Sequence, residues 1–127
     1  MRLAHVALWT TDLESAASFW QKYFDAKVGD LYASKRRVGF VSRFVVLPDS
    51  GDQIELMSGP WVSDLGYSER VGWDHIAVSL GSTDKVDRMA ERCAAAGNLI
   101  SPPRMTGDGF YEAVISMPDG TRVEITS

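Results

Sequence analysis

The chain has 127 residues, 45% hydrophobic and 24% charged, with a formal net charge of −4 and a pI near 5.1. That length suits one domain burying roughly two thirds of its unfolded surface, and the acidic balance argues against a nucleic-acid partner, which needs a basic face. With no charged leader before an apolar core and no apolar run of membrane-spanning length, a cytoplasmic protein with no membrane partner is expected.

Residues 2–9 read as a strand. Thr11 then opens a helix, with Thr11-x-x-Glu14 as a capping box; Leu13, Ala16, Ala17, Trp20, Tyr23 and Phe24 recur at steps of three and four as its buried stripe. A short strand around 27–32, a basic turn at Lys35-Arg36-Arg37, a β-rich run over 38–47 and a Pro48 turn lead into a strand around Glu55. The order is β-α-β-β-β. Residues 59–72 hold three Gly and one Pro with no period, and read as a linker. A second unit repeats the order. It has a strand over 73–80 and a helix over 82–96 with Val86, Met89, Ala90, Cys93 and Ala94 on one face, ended by Gly97. A short strand over 98–101 follows, then a loop over 102–109 too rich in Pro and Gly for regular structure, and strands over 110–117 and 121–126. Cys93, the single cysteine, reads as a small buried hydrophobe.

The two halves carry the same signature. Gly51-Asp52-Gln53-Ile54-Glu55-Leu56-Met57-Ser58 and Gly120-Thr121-Arg122-Val123-Glu124-Ile125-Thr126-Ser127 share Gly-x-x-(Ile/Val)-Glu-(Leu/Ile)-x-Ser, each after a Pro-Asp turn. His5 and His75 are the only histidines, and each lies in the opening strand of its half. The offsets are 70 between histidines, 70 between Pro48 and Pro118, and 69 between Glu55 and Glu124, so one unit of about 60 residues is duplicated. The expected organisation is one domain over 1–127, with units at about 1–58 and 73–127.

Strand parity puts each histidine and each glutamate on the face opposite the aliphatic residues that cover that unit's helix. A carboxylate in an apolar strand is costly without a cation. Two imidazoles and two carboxylates, brought together by pairing of the units, make a mixed N/O set suited to Ni²⁺, Co²⁺, Zn²⁺, Fe²⁺ or Mn²⁺. Arg43, Arg104 and Tyr111 are candidate substrate contacts. Trp9, on the His5 face, either stacks on a flat substrate or packs in the core.

The repeat, the element order, and His5, Glu55, His75 and Glu124 in their strands resemble the vicinal-oxygen-chelate superfamily, which includes glyoxalase I, bleomycin-resistance proteins, extradiol dioxygenases and fosfomycin-resistance enzymes. The small bacterial glyoxalase I, with a similar Met-Arg-Leu-x-His opening and Pro-Asp-Gly-x-x-(Ile/Val)-Glu ending, is the nearest resemblance. It implies an α+β fold of tandem βαβββ modules forming a cupped mixed β-sheet with helices outside. It implies that His5, Glu55, His75 and Glu124 ligate Ni²⁺, Co²⁺ or Zn²⁺, and that a homodimer shares its sites between chains. It also implies isomerisation of a 2-oxoaldehyde hemithioacetal, or a related α-hydroxycarbonyl, through an enediolate held at the metal. Glu124 would act as the base, and Glu55 would take that part for the opposite stereoisomer. Trp9 and Gly59 stand where glyoxalase I has an arginine and an asparagine, which leaves the use of glutathione open. The alternatives are another metal-dependent enzyme, an epimerase or extradiol-type dioxygenase, and a non-catalytic protein that sequesters an aromatic compound among Trp9, Trp61, Trp73 and Tyr111.

Overall fold

The computed structural model describes residues 1–63 and 71–127. Within the predicted linker, residues 64–70 lie outside the described residues. The chain divides into two compact units, Met1–Leu65 and Gly66–Ser127, each a mixed sheet with one helix against one face. Both are α+β units of the expected glyoxalase-like kind.

In the first unit β1 (Val6–Trp9) is followed by α1 (Leu13–Phe24), β2 (Lys27–Val28), β3 (Tyr32–Ala33), β4 (Val41–Val46) and β5 (Gln53–Ser58). The sheet order is β1-β5-β4-β2, with β3 also on β4. The predicted strand over 27–32 is two short pieces. The helix starts one residue later than a Thr11 cap requires: Asp12 is the N-cap and its carboxylate accepts from the Ser15 N–H. An ionised cap beside the positive helix end is the stronger acceptor, and that bond is the chief reason the Asp12 carboxyl sits below its ordinary pKa. All six stripe residues of α1 are buried, and Phe19 joins them. They cover Val45, Ile54 and Leu56, each at most 2% exposed, on β4 and β5.

The second unit runs β6 (His75–Ser79), α2 (Thr83–Ala95), β7 (Leu99–Met105), β8 (Tyr111–Ser116) and β9 (Arg122–Thr126), with sheet order β6-β9-β8-β7. Val86, Met89, Ala90 and Cys93 of α2 are buried over Ala113, Ile115, Val123 and Ile125. Ala94 is exposed, because at 100° per residue it has rotated past the edge of that stripe. Gly97, at φ 77°, follows the helix in the left-handed conformation that a side chain disfavours.

The first half of the predicted loop over 102–109 is strand, since β7 runs through Pro102 and Pro103 to Met105, and the turn is confined to 106–109. β7 is the outer strand of its sheet and pairs with β8 through two register shifts. Prolines are tolerated where the missing N–H faces away from a neighbour.

In both units the opening strand lies parallel to the closing one. Ala7 is opposite Glu55 and Ala77 opposite Glu124, so residues far apart in sequence stand side by side. The turns into the closing strands differ by one residue. Asp49 and Gly51 both adopt positive φ in the first, whereas Gly120 alone does so in the second turn. The offset of 69 rather than 70 arises there. Among the described residues no helix is long and apolar enough to cross a membrane.

Candidate metal half-sites

Parity along β4 and β5 separates the two faces of the first sheet. Ile54 and Leu56 turn to the helix, so Glu55 turns away from it, and Phe44 pairs directly with Glu55 on that outer face. His5 lies one residue before β1. Its ring stands edge-on to Phe44, with centroids 5.2 Å apart and planes at 83°. Its Nε2 is 3.7 Å from Glu55 Oε2. The second unit repeats the arrangement: His75 Nε2 is 3.4 Å from Glu124 Oε2. Each unit therefore holds one imidazole nitrogen and one carboxylate oxygen side by side on its helix-free face. Both glutamates are mostly covered, at 19% and 17% exposure, while the histidines stand 41% and 38% open. Among the described residues, no group of three or more His, Cys, Asp or Glu side chains is gathered to hold a metal ion. Taken separately, each unit offers two donors.

The halves are not equivalent. Asp74 Oδ2 lies 2.8 Å from His75 Nδ1. With the ring proton on Nδ1, that N–H donates to the carboxylate and Nε2 is left as the electron-pair donor, the support a metal-binding imidazole uses. Glu124 also has an acidic neighbour on its face, Glu112 of β8, whose Oε1 lies 3.3 Å from Arg104 Nη2. Burial, foremost, then the charge of Glu112 and the hydrogen bond between the two carboxyls hold the Glu124 carboxyl above its ordinary value, and His75 opposes them. Position 42, which the 70-residue offset matches to Glu112, is a buried serine.

A carboxyl whose pKa is higher in the folded state is more readily protonated there. It therefore contributes stability at low pH that is lost as pH rises past the unfolded carboxylate value, about 4.3. Over that rise metal-free wild-type protein is expected to lose melting temperature relative to Glu112→Gln, in which the Asp12 cap and every other carboxyl are unchanged. Thermal melts from pH 4 to pH 8 check this, and identical profiles would remove Glu112 as a cause.

The other candidate contacts fall in two groups. Arg104 and Trp9 lie on the glutamate faces of their units: Arg104 pairs with Glu112, and Trp9 stands beside Met57, two residues beyond Glu55. Arg43 and Tyr111 turn the other way. The Arg43 guanidinium donates to Glu14 of α1 at 2.9 Å and to the Gly29 carbonyl at 2.9 Å. The Tyr111 hydroxyl donates to Asp87 of α2 at 2.6 Å, and this bond is the chief reason its pKa is raised. Both tie a helix to its sheet. Trp73 is 90% exposed.

The sequence pattern alone assigns Asp74 and Glu112 no functional part. Asp74 is legible only as an acid next to a histidine. Glu112 is another charge within an apolar strand, but it has no counterpart in the first repeat to draw attention to it.

Residues 2–125 match the model of the Glyoxalase/Bleomycin resistance protein/Dioxygenase superfamily. YqjT, an uncharacterised protein of Bacillus subtilis (strain 168), is 28% identical over 130 residues, covering 97% of this chain and 96% of its own. Solved structures share the fold. A glyoxylase/bleomycin resistance protein/dioxygenase domain from Frankia sp. EAN1pec superposes with a TM-score of 0.84 at 22% identity, covering 99% of this chain and 96% of that one. FosX of Listeria monocytogenes, a fosfomycin resistance protein crystallised with Mn(II) and sulfate, gives 0.72 at 23% identity over 99% and 91%. A glyoxalase I mutant from Zea mays gives 0.77 at 19% identity, covering 98% of this chain and 44% of that longer one.

Proposed function

Because the chain belongs to the glyoxalase/bleomycin resistance protein/dioxygenase superfamily, we propose that it is a divalent-metal enzyme of the glyoxalase I kind. It isomerises an α-hydroxycarbonyl such as the hemithioacetal of a 2-oxoaldehyde, and it acts in the cytoplasm. The observation that carries this is the repeated pairing of a histidine Nε2 with a glutamate oxygen on the helix-free face of each unit. His5, Glu55, His75 and Glu124 would hold the ion, Ni²⁺, Co²⁺ or Zn²⁺, with Fe²⁺ or Mn²⁺ also matching an N/O set. A homodimer in which each ion takes one pair from either chain satisfies all four donors, and isologous dimers are the commonest assemblies.

When bound, the ion would supply positive charge that lowers the cost of negative charge developing on the substrate oxygens. Glu124, displaced or only loosely held, accepts the proton from the hydroxyl-bearing carbon and returns it to the neighbouring, former carbonyl carbon, acting as base and then as acid, while the hydroxyl proton passes to the former carbonyl oxygen so that hydroxyl and carbonyl exchange places. Glu55, next to the Phe44 ring rather than a second acid, takes the same part for the opposite stereoisomer. Asp74 holds the His75 ring in the tautomer that leaves Nε2 available.

Protein stripped with a chelator and reloaded separately with Ni²⁺, Co²⁺, Zn²⁺, Mn²⁺ or Fe²⁺ is expected to hold about one ion per chain. Elemental analysis and the mass in solution read that result, and His5→Ala and His75→Ala are each expected to abolish uptake. Loaded protein is expected to turn over 2-oxoaldehydes in the presence of a thiol. Failure to take up any cation would favour the non-catalytic reading, to which the half-open Trp9 and Trp61 rings lend themselves.

A further inference from the structure

The first unit carries a feature that the metal chemistry does not use. Trp9 stands on the Glu55 face, beside Met57, and its ring meets Phe40 and Trp61 edge to face, at 6.0 Å and 86° and at 6.4 Å and 83°. Perpendicular indoles form a corner, and each is still 41% exposed. The Arg37 guanidinium lies 4.0 Å from the Trp61 ring centroid and 5.5 Å from that of Trp9. Arg37 is exposed, follows Lys35 and Arg36 in the basic turn, and among the described residues no carboxylate pairs with it.

The backbone is shaped to let the corner form. A Cβ on Gly59 would stand 2.5 Å from the Trp61 ring, so only glycine lets the indole lie across the chain there. Gly39, at φ 90°, meets the Pro60 ring, which a Cβ would approach to 2.8 Å. Side chains at 39 and 59 would push the basic turn and Trp61 apart.

We propose that Trp9, Trp61 and Arg37 form a substrate-recognition subsite for a flat aromatic group bearing a carboxylate or similar anion. The indole faces supply stacking area at small entropic cost. A guanidinium whose flat face is held by rings still directs its N–H edge outward, in the fork geometry that suits a carboxylate. Met57 lies two residues beyond Glu55, a rise of roughly 7 Å. One molecule of modest length thus spans from the His5–Glu55 pair to the corner. The identity of the reacting end rests on the metal-enzyme reading above, whereas the subsite itself does not.

The test is calorimetric titration of chelator-treated and nickel-loaded protein with indole-3-acetate and with indole-3-acetamide, which share a ring and differ in charge. The acid is expected to bind both forms of the protein, and the amide about tenfold more weakly, the scale of one charge-assisted hydrogen bond. Arg37→Gln is expected to erase that preference, Arg37→Lys to keep part of it, and Arg36→Gln to leave it intact. Gly59→Ala and Trp61→Leu are expected to weaken both probes. Equal binding of acid and amide by the wild type, or an unchanged preference in Arg37→Gln, overturns the anionic assignment. No saturable heat from either probe overturns the subsite. Acid-selective binding in a protein that takes up no nickel supports the subsite and sinks the metal reading alone.

Discussion

Glu124→Gln is expected to lower turnover of the metal-loaded protein by roughly a thousandfold or more, the scale of losing a positioned general base. The fold should survive. The amide is close to isosteric, and Glu124 stands on the face away from the α2 core, opposite Val114 and Ala77. Because burial and Glu112 already disfavour its charge, metal-free Glu124→Gln protein is expected to melt higher than the wild type at neutral pH and about equally at low pH. The pair of results matters more than either alone: a site acid that costs stability yet is needed for turnover is kept for its chemistry. Full activity in Glu124→Gln would remove Glu124 from the reaction. The milder companion, Glu55→Gln, separates a ligand shared by both stereoisomers from a base used for one, read from the handedness of the product.

Trp20→Ala is the substitution expected to damage the fold most. The Trp20 side chain is fully buried, with its ring centroid 4.8 Å from that of Phe24 and 5.8 Å from that of Phe19. Truncating such a residue costs about 3–5 kcal/mol, a large share of the roughly 5–15 kcal/mol that holds a domain folded. Urea titration followed by circular dichroism is expected to show the first unit unfolding at much lower denaturant. Trp20→Phe is expected to cost far less. It keeps most of the volume and removes an indole N–H that has no hydrogen-bond partner among the described residues. Equal losses in the two variants would mean that ring volume is not what Trp20 contributes.

The elements were legible wherever a period ran long enough to show. The stripe of α1 and the alternation of Ile54 and Leu56 against Glu55 predict buried faces that the structure has. Repetition made the histidine and glutamate pairs legible, because two weak signals at one offset outweigh either alone. What failed was local. Pro102 and Pro103 read as loop because sequence does not say which strand will be outermost. Thr11 and Asp12 compete for one cap, and only the backbone angle decides between them. Arg43 and Tyr111 looked available for a substrate, yet each spans to its own helix. A long polar side chain can do either, and its strand parity becomes visible only when the register is known. The indole corner depends on Gly39 and Gly59, whose role is the absence of a side chain and so leaves little trace in a pattern of residue types.

The parallel pairing of the opening and closing strands has a consequence for how the protein is made. His5 leaves the ribosome about fifty residues before its neighbour Glu55, and the same interval separates His75 from Glu124. A partly synthesised unit owns an imidazole but not its carboxylate. Each histidine–glutamate pair is therefore complete only when its unit is finished, and under the proposed metal reading a chain cut short before Glu124 would carry three of the four donors.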